Sequence, residues 1–166
     1  MSSCKHHQQC IDEAMAHAEA VCARSGARLT PLRRRVLAAI WQSHEAVKAY
    51  SLIHELSSED HTLKPPTIYR TLDFLRDQGL IHRIESLNAY VGCDHPAELH
   101  DPQLLICDGC GHVEELSSAA LDTAMADAAD QAGFAVTQST IEVHGLCRQC
   151  AERAANESVD AARPNA

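Results

Sequence analysis

Two cysteine pairs, Cys107-x2-Cys110 and Cys147-x2-Cys150, constrain this chain more than any other feature. Two residues between cysteines let a tight turn aim both sulfurs to one side. Four thiolates in a tetrahedron make a closed structural zinc site with no open position for substrate. Residues 111–146 separate the pairs, so one shared ion would clip the first strand of a small module to its C-terminal end. Gly109, Gly111 and Gly145 flank the pairs and suit zinc knuckles. The competing reading is two independent redox or incidental pairs. The longest unbroken apolar run is Val36–Trp41, and no apolar segment follows Lys5, so neither a membrane span nor a secretory signal is expected. In the reducing cytoplasm that this implies, eight cysteines point to metal rather than disulfides.

The first half of the chain reads as helices followed by a hairpin. Ile11, Met15, Ala18 and Cys22 recur at helical spacing up to Gly26. Thr30-Pro31 opens a second helix as N-cap and first helical residue, with Leu32, Val36 and Ile40 as its buried stripe. A short third helix covers Tyr50–Leu56. After Lys64-Pro65-Pro66-Thr67, a fourth carries Ile68, Leu72 and Leu75 and stops at Gly79. Leu80–Glu85 and Ala89–Cys93 are predicted strands of a hairpin. Helices followed by a two-stranded hairpin, with a polar-faced helix just before it, describe a winged helix-turn-helix.

The second half predicts strands around Leu104–Cys107 and His112–Leu116, a helix capped by Ser118, and a strand over Phe134–Val143. The expected class is therefore α+β: a winged helix-turn-helix over 1–93, a hinge at 94–103, a small α/β module over 104–153 and a flexible tail at 154–166. Charge divides the same way. Residues 1–86 hold 11 Lys/Arg against 10 Asp/Glu, whereas residues 87–166 hold 3 against 13. The stretch from Arg24 to Arg35, with Arg28, Arg33 and Arg34 inside it, contains no acid, so a basic surface is open to the N-terminal module although the whole chain carries −9.

A second constellation is His82, Cys93, His100 and Glu115, with His95 nearby. His82 and Cys93 fall on opposite strands of the hairpin, His100 in the hinge, and Glu115 on the strand after the first cysteine pair. One metal on all four would tie the wing to the second module. Taken singly, each has a plain structural reading: a surface histidine, a buried cysteine, a solvated carboxylate. His112, His144 and the Cys4, His6, His7, Cys10 group are further metal candidates, the last read as a disordered start.

The two cysteine pairs, preceded by Lys64-Pro65-Pro66-Thr67-Ile68-Tyr69-Arg70-Thr71-Leu72, closely resemble the ferric uptake regulator superfamily and, within it, the zinc uptake regulator subgroup. Arg28-Leu29-Thr30-Pro31 and His144-Gly145-Leu146-Cys147 add to the match, which runs from about Ala18 to Ala151. The resemblance implies a homodimeric bacterial repressor with a C-terminal dimerisation domain. It implies structural zinc on Cys107, Cys110, Cys147 and Cys150, and regulatory zinc on His82, Cys93, His100 and Glu115, two ions per monomer. Iron and peroxide sensors of the family carry a His-His-Asp-His-like run ahead of the first cysteine pair. Here the stretch is His100-Asp101-Pro102-Gln103-Leu104-Leu105-Ile106, and the Cys93 thiolate favours zinc over harder Fe(II) or Mn(II). An iron or manganese sensor is the rival within the family.

A winged helix places its recognition helix in the major groove. Thr67, Tyr69 and Arg70 then become candidates for base reading, and Tyr50, Lys64, Arg76, Arg28 and Arg35 for phosphates. The expected partners are double-stranded operator DNA and a second copy of the chain, with one or two dimers per operator and no small-molecule substrate. Zinc at the hinge would fix the angle between the domains and so act as corepressor. An enzyme is not expected: both proposed sites are full, and the chain has neither His-Glu-x-x-His nor a His-x-Glu paired with Pro-Cys-x-x-Cys.

Overall fold

The structure is a computed structural model that describes residues 7–42, 45–57, 62–96 and 100–161. Helix α1 (His7–Ser25) buries Ala18 and Cys22 against α2 (Pro31–Trp41) and ends at Gly26, whose φ of +66° suits a residue without a β-carbon. Thr30 caps α2 by accepting the Arg33 N–H at 3.4 Å, and Pro31 occupies the first turn. Strand β1 (Val47–Lys48) leads into α3 (Ala49–Leu56). Helix α4 (Pro65–Asp77) starts on its two prolines and buries Ile68, Leu72 and Leu75 completely.

Strands β2 (Ile81–Ile84) and β3 (Ala89–Gly92) form the wing through a turn in which Asn88 takes φ +47°. The first sheet has the order β1-β3-β2. Its third strand, β1, pairs Val47 with Tyr90 and Lys48 with Ala89 and has no counterpart in the two-stranded hairpin predicted above. The helices and this sheet enclose one apolar core around Leu37, Ile40, Leu52, Ile68, Leu72 and Leu75.

The second sheet has the order β5-β4-β6, with β4 (Gln103–Cys107) antiparallel to β5 (Val113–Leu116) and parallel to β6 (Ile141–Gly145). Helix α5 (Ala119–Gln131) links β5 to β6, and α6 (Arg148–Ala161) follows β6. Two expectations are corrected here. The last strand begins at Ile141 rather than Phe134, leaving Phe134 and Val136 exposed outside any strand. The stretch expected to be a tail from 154 is helical through Ala161. Cys4 and His6 lie outside the described residues, and the chain is already helical from His7. No helix among the described residues is long and apolar enough to cross a membrane.

The two sheets meet. Ile84 and Val91 of the wing pack against Leu104, Ile106 and Val113 of the second sheet in a small core of their own. On the other side of the wing, Gly92 lies against Trp41: a β-carbon there would sit 2.6 Å from the indole Nε1 and 2.7 Å from Cζ2, inside any real contact. The clash is with a rigid fused ring, so Gly92→Ala must turn the Trp41 side chain or displace α2 or β3. The expected loss is about 1–3 kcal/mol of unfolding free energy, read by urea denaturation.

Candidate metal centres and nucleic-acid interface

Parallel pairing of β4 with β6 brings the two cysteine pairs together. Cys107 ends β4 opposite Gly145, the last residue of β6, and the Asp108 N–H donates to the Gly145 carbonyl at 2.8 Å. The chain then turns through Cys110 and Gly111 (φ +73°), the Gly111 N–H returning to the Cys107 carbonyl at 2.8 Å. Cys147 follows β6 and Cys150 sits in the first turn of α6. One sulfur from each of Cys107, Cys110, Cys147 and Cys150 lies within 4.8 Å of the others. Four sulfurs at about 2.3 Å from a common centre stand about 3.8 Å apart in a tetrahedron. The Cys110 and Cys147 sulfurs are separated by 3.8 Å.

The surroundings prepare a thiolate. The Cys147 N–H donates to the Cys107 Sγ at 3.2 Å, and this bond, against some loss of solvation, pulls the Cys107 thiol down to about 6. Cys150 is pushed up to about 12 by loss of solvation and by the neighbouring thiols. Gly109 has no room for a side chain, because its β-carbon would stand 2.9 Å from the Cys150 Sγ. Four sulfur donors at tetrahedral spacing, with Cys107 and Cys150 buried and Cys110 at the surface, fit a structural zinc ion.

The second cluster forms where the wing meets the second sheet. His82 comes from β2, Cys93 from the end of β3, His100 from the connection and Glu115 from β5. Glu115 Oε1 lies 2.8 Å from His82 Nε2 and 2.5 Å from His100 Nε2; the two imidazole nitrogens are 3.2 Å apart, and the Cys93 Sγ is 3.7 Å from His100 Nε2. Glu115 and His82 side chains are 3% and 9% exposed, and Cys93 is 1% exposed, so only His100 reaches solvent appreciably. Burial pushes the Cys93 thiol up to about 12, with the Glu115 charge adding to it. Burial also works to raise Glu115. The hydrogen bond and charge of His82, the Asp94 N–H at 2.8 Å and His100 outweigh it and hold the carboxyl at about 2. Two nitrogens, one sulfur and one carboxylate oxygen, all within 4.8 Å, fit a tetrahedral zinc ion.

His95, His112 and His144 are not among the donors of either cluster. His95 packs edge-on to the His100 ring at 6.3 Å, His112 bridges to Glu45, and His144 contacts Asp108 and Ser86. On α4, Thr67, Tyr69 and Arg70 line the exposed face of the first turns, opposite the buried stripe. Tyr50 is 80% exposed at the start of α3, and Lys64 and Arg28 are exposed. Arg76 pairs loosely with Asp73 at 3.6 Å. Several of the clustered arginines also serve the fold: Arg35 donates to the Leu56 carbonyl at 2.9 Å, Arg33 covers the Phe74 ring, and Arg34 pairs with Glu19.

Residues 24–144 match the model of the ferric uptake regulator family. The chain belongs to that family. Within this family it is 42% identical over 143 residues to the zinc uptake regulation protein of Escherichia coli, a match covering 84% of this chain and 82% of that one. A solved structure described as a zinc uptake regulator complexed with zinc and DNA overlays with a TM-score of 0.82 at 40% identity, covering 87% of this chain and 97% of the other. The holo form of XcZur gives 0.77 at 39% identity over 86% and 99%; its apo form gives 0.51 at 38% identity over the same shares.

For this ferric uptake regulator family member, residue-type patterns pointed to the four cysteines and left His82, Cys93, His100 and Glu115 open, a set that the resemblance favoured. They missed the backbone around them: the Asp94 N–H on Glu115 and the Cys147 N–H on Cys107. A main-chain donor leaves no mark in a search for ligand side chains.

Proposed function

We propose that this chain is a cytoplasmic zinc-responsive repressor: a homodimer whose zinc-loaded form binds palindromic operator DNA and represses zinc-uptake genes. The observation that carries the reading is the buried His82, Cys93, His100, Glu115 donor set at the joint between wing and second sheet. Such a set has no open position, so it serves to hold rather than to catalyse. The zinc-and-DNA complex of a relative at 40% identity supports it, as does the contrast between holo and apo forms of another. Those two are nearly equal in sequence identity, yet the holo form overlays this chain better than the apo form does.

In this reading each monomer takes two zinc ions, one on the four cysteines and one at the joint. A bound zinc ion supplies a cross-link of nitrogen, sulfur and oxygen ligands between the domains. His82 and Cys93 hold the wing end of that link, and Glu115 holds the sheet end. Thr67, Tyr69 and Arg70 reach base edges, with the Arg70 fork suited to guanine, while Tyr50, Lys64, Arg76, Arg28 and Arg35 touch phosphates. The winged domain spans 1–93, the hinge 94–103 and the dimerisation domain 104–153, now continued by α6. Leu121, Met125, Phe134, Val136, Val143 and Leu146 are all exposed and α5 buries nothing, which supports a second copy covering this side.

The test is DNA affinity titrated against buffered free zinc at pH 7 and pH 8. DNA binding should tighten at least tenfold on zinc saturation, which needs only about 1.4 kcal/mol of differential affinity. The pH sign follows from Cys93. With its thiol pushed up to about 12, the metal-free site is protonated at both pH values, and coordination must release that proton. The zinc midpoint should therefore rise about tenfold or more when pH falls from 8 to 7. DNA affinity indifferent to zinc would overturn the reading. The same curve driven by Fe(II) or Mn(II) at lower free concentration would convert it to the rival sensor.

A further inference from the structure

Directly paired residues on neighbouring strands face the same side of a sheet. In the second sheet, Leu104 pairs with Glu115 on β5 and with Glu142 on β6; one step along, Ile106 pairs with Val113 and His144. The face toward the wing therefore carries an apolar centre flanked by two carboxylates, about 9–10 Å apart at the usual strand spacing. Glu115 belongs to the donor set at the base of the wing. Glu142, two strands away, reaches the opposite end: its Oε1 accepts the Glu85 N–H at 2.6 Å and its Oε2 the Ser86 N–H at 3.1 Å, in the wing turn. His144 Nε2 meets the Ser86 hydroxyl at 3.0 Å, while its Nδ1 lies 2.9 Å from Asp108 Oδ1.

We propose that Glu142 is a positioning residue: its carboxylate clamps the wing turn to β6 and holds the wing where His82 and Cys93 meet His100 and Glu115. The apolar contact of Ile84 and Val91 with the sheet is non-directional and does not fix a register. One tie at the base of the hairpin leaves the wing free to pivot about it. A second tie at the tip, made by two charge-assisted hydrogen bonds to main-chain donors, removes that rotation. Clamp and donor set then favour the same closed arrangement, so each strengthens the other by linkage. The proposal rests on the hinge-site reading above but not on DNA binding.

The test compares the full-length protein with Glu142→Ala and Glu142→Gln, the four-cysteine centre loaded. Two measurements are made without DNA: hydrogen exchange of the Glu85 and Ser86 amides, and zinc affinity of the joint by chelator competition. In Glu142→Ala, exchange at those two amides should speed about tenfold while the amides of Ile81 and Leu104 keep their protection. Zinc affinity should fall about threefold to tenfold. Glu142→Gln, which keeps one acceptor oxygen, should fall between, and it carries both measurements if the alanine variant does not fold. Unchanged exchange at 85 and 86 would overturn the clamp. Faster exchange with zinc affinity within twofold of the unaltered protein would overturn the coupling. If the unaltered protein fails to bind DNA with zinc, the repressor reading falls, while these two measurements still judge Glu142.

Discussion

Cys93→Ser should leave a folded dimer that no longer answers to zinc. Serine nearly matches cysteine in shape, and its hydroxyl would face the His100 imidazole where the sulfur stands now, 3.7 Å from Nε2. The fold therefore has little reason to move. The ligand set loses its only soft donor, and a serine hydroxyl deprotonates far less readily than a thiol. Altering groups that merely support a ligand typically weakens metal affinity by 10–100-fold, so removing a ligand should cost about a hundredfold or more. The expected result is a zinc midpoint for DNA binding displaced by at least about two decades, with affinity at ordinary buffered zinc close to the metal-free value. Cobalt substitution gives an independent check. The thiolate charge-transfer band of the joint should vanish while that of the four-cysteine centre persists. Undiminished zinc-dependent DNA binding in this variant would remove the joint from the mechanism, whatever the metal content.

The sequence was most legible where covalent spacing does the work. Pro65-Pro66 followed by Ile68, Leu72 and Leu75 determines both where α4 starts and which face it buries, and no distant residue is needed to read it. Cys107-x2-Cys110 declares a bite for metal by itself. The joint was harder, because His82, Cys93, His100 and Glu115 come from four segments, and only strand register makes them neighbours: His82 opposite Val91, Glu115 opposite Leu104. Spacing left this quartet open, and the family resemblance favoured it.

The misreadings have physical causes. Two-residue β1 is too short to show alternation, and its pairing with β3 is a tertiary event. Phe134 and Val136 read as strand because they are apolar, yet they are exposed outside any strand. Sequence alone cannot separate apolar side chains that the chain covers itself from those left on its surface. The run from 154 reads as tail because it is polar. It continues a helix that Cys150 anchors in its first turn, Arg153 donating to the Cys150 sulfur at 3.6 Å.

Cys110→Ser and Cys147→Ser should act on stability rather than on response. The module they belong to has little else to hold it: α5 buries no residue, β6 is at most half-buried, and its apolar core is the handful of side chains shared with the wing. In such a small unit, metal binding is folding free energy, about 10–16 kcal/mol in isolated zinc modules. Losing one of four thiolates forfeits a large part of it. A domain of this size moves about 4–8 °C in Tm per kcal/mol, so a loss of only 3 kcal/mol already lowers the transition by more than about 10 °C. Because the proposed dimer surface is built on α5 and β6, sedimentation should report monomer where the unaltered chain gives dimer. The winged domain, with its own core, should retain helical signal and unfold separately. That separation distinguishes the two donor sets: Cys93→Ser should abolish response in a stable dimer, whereas Cys110→Ser should destroy the dimer whether or not the joint can bind zinc. A Cys110→Ser protein that stays dimeric with an unmoved transition would show that the four sulfurs hold no metal that the fold depends on.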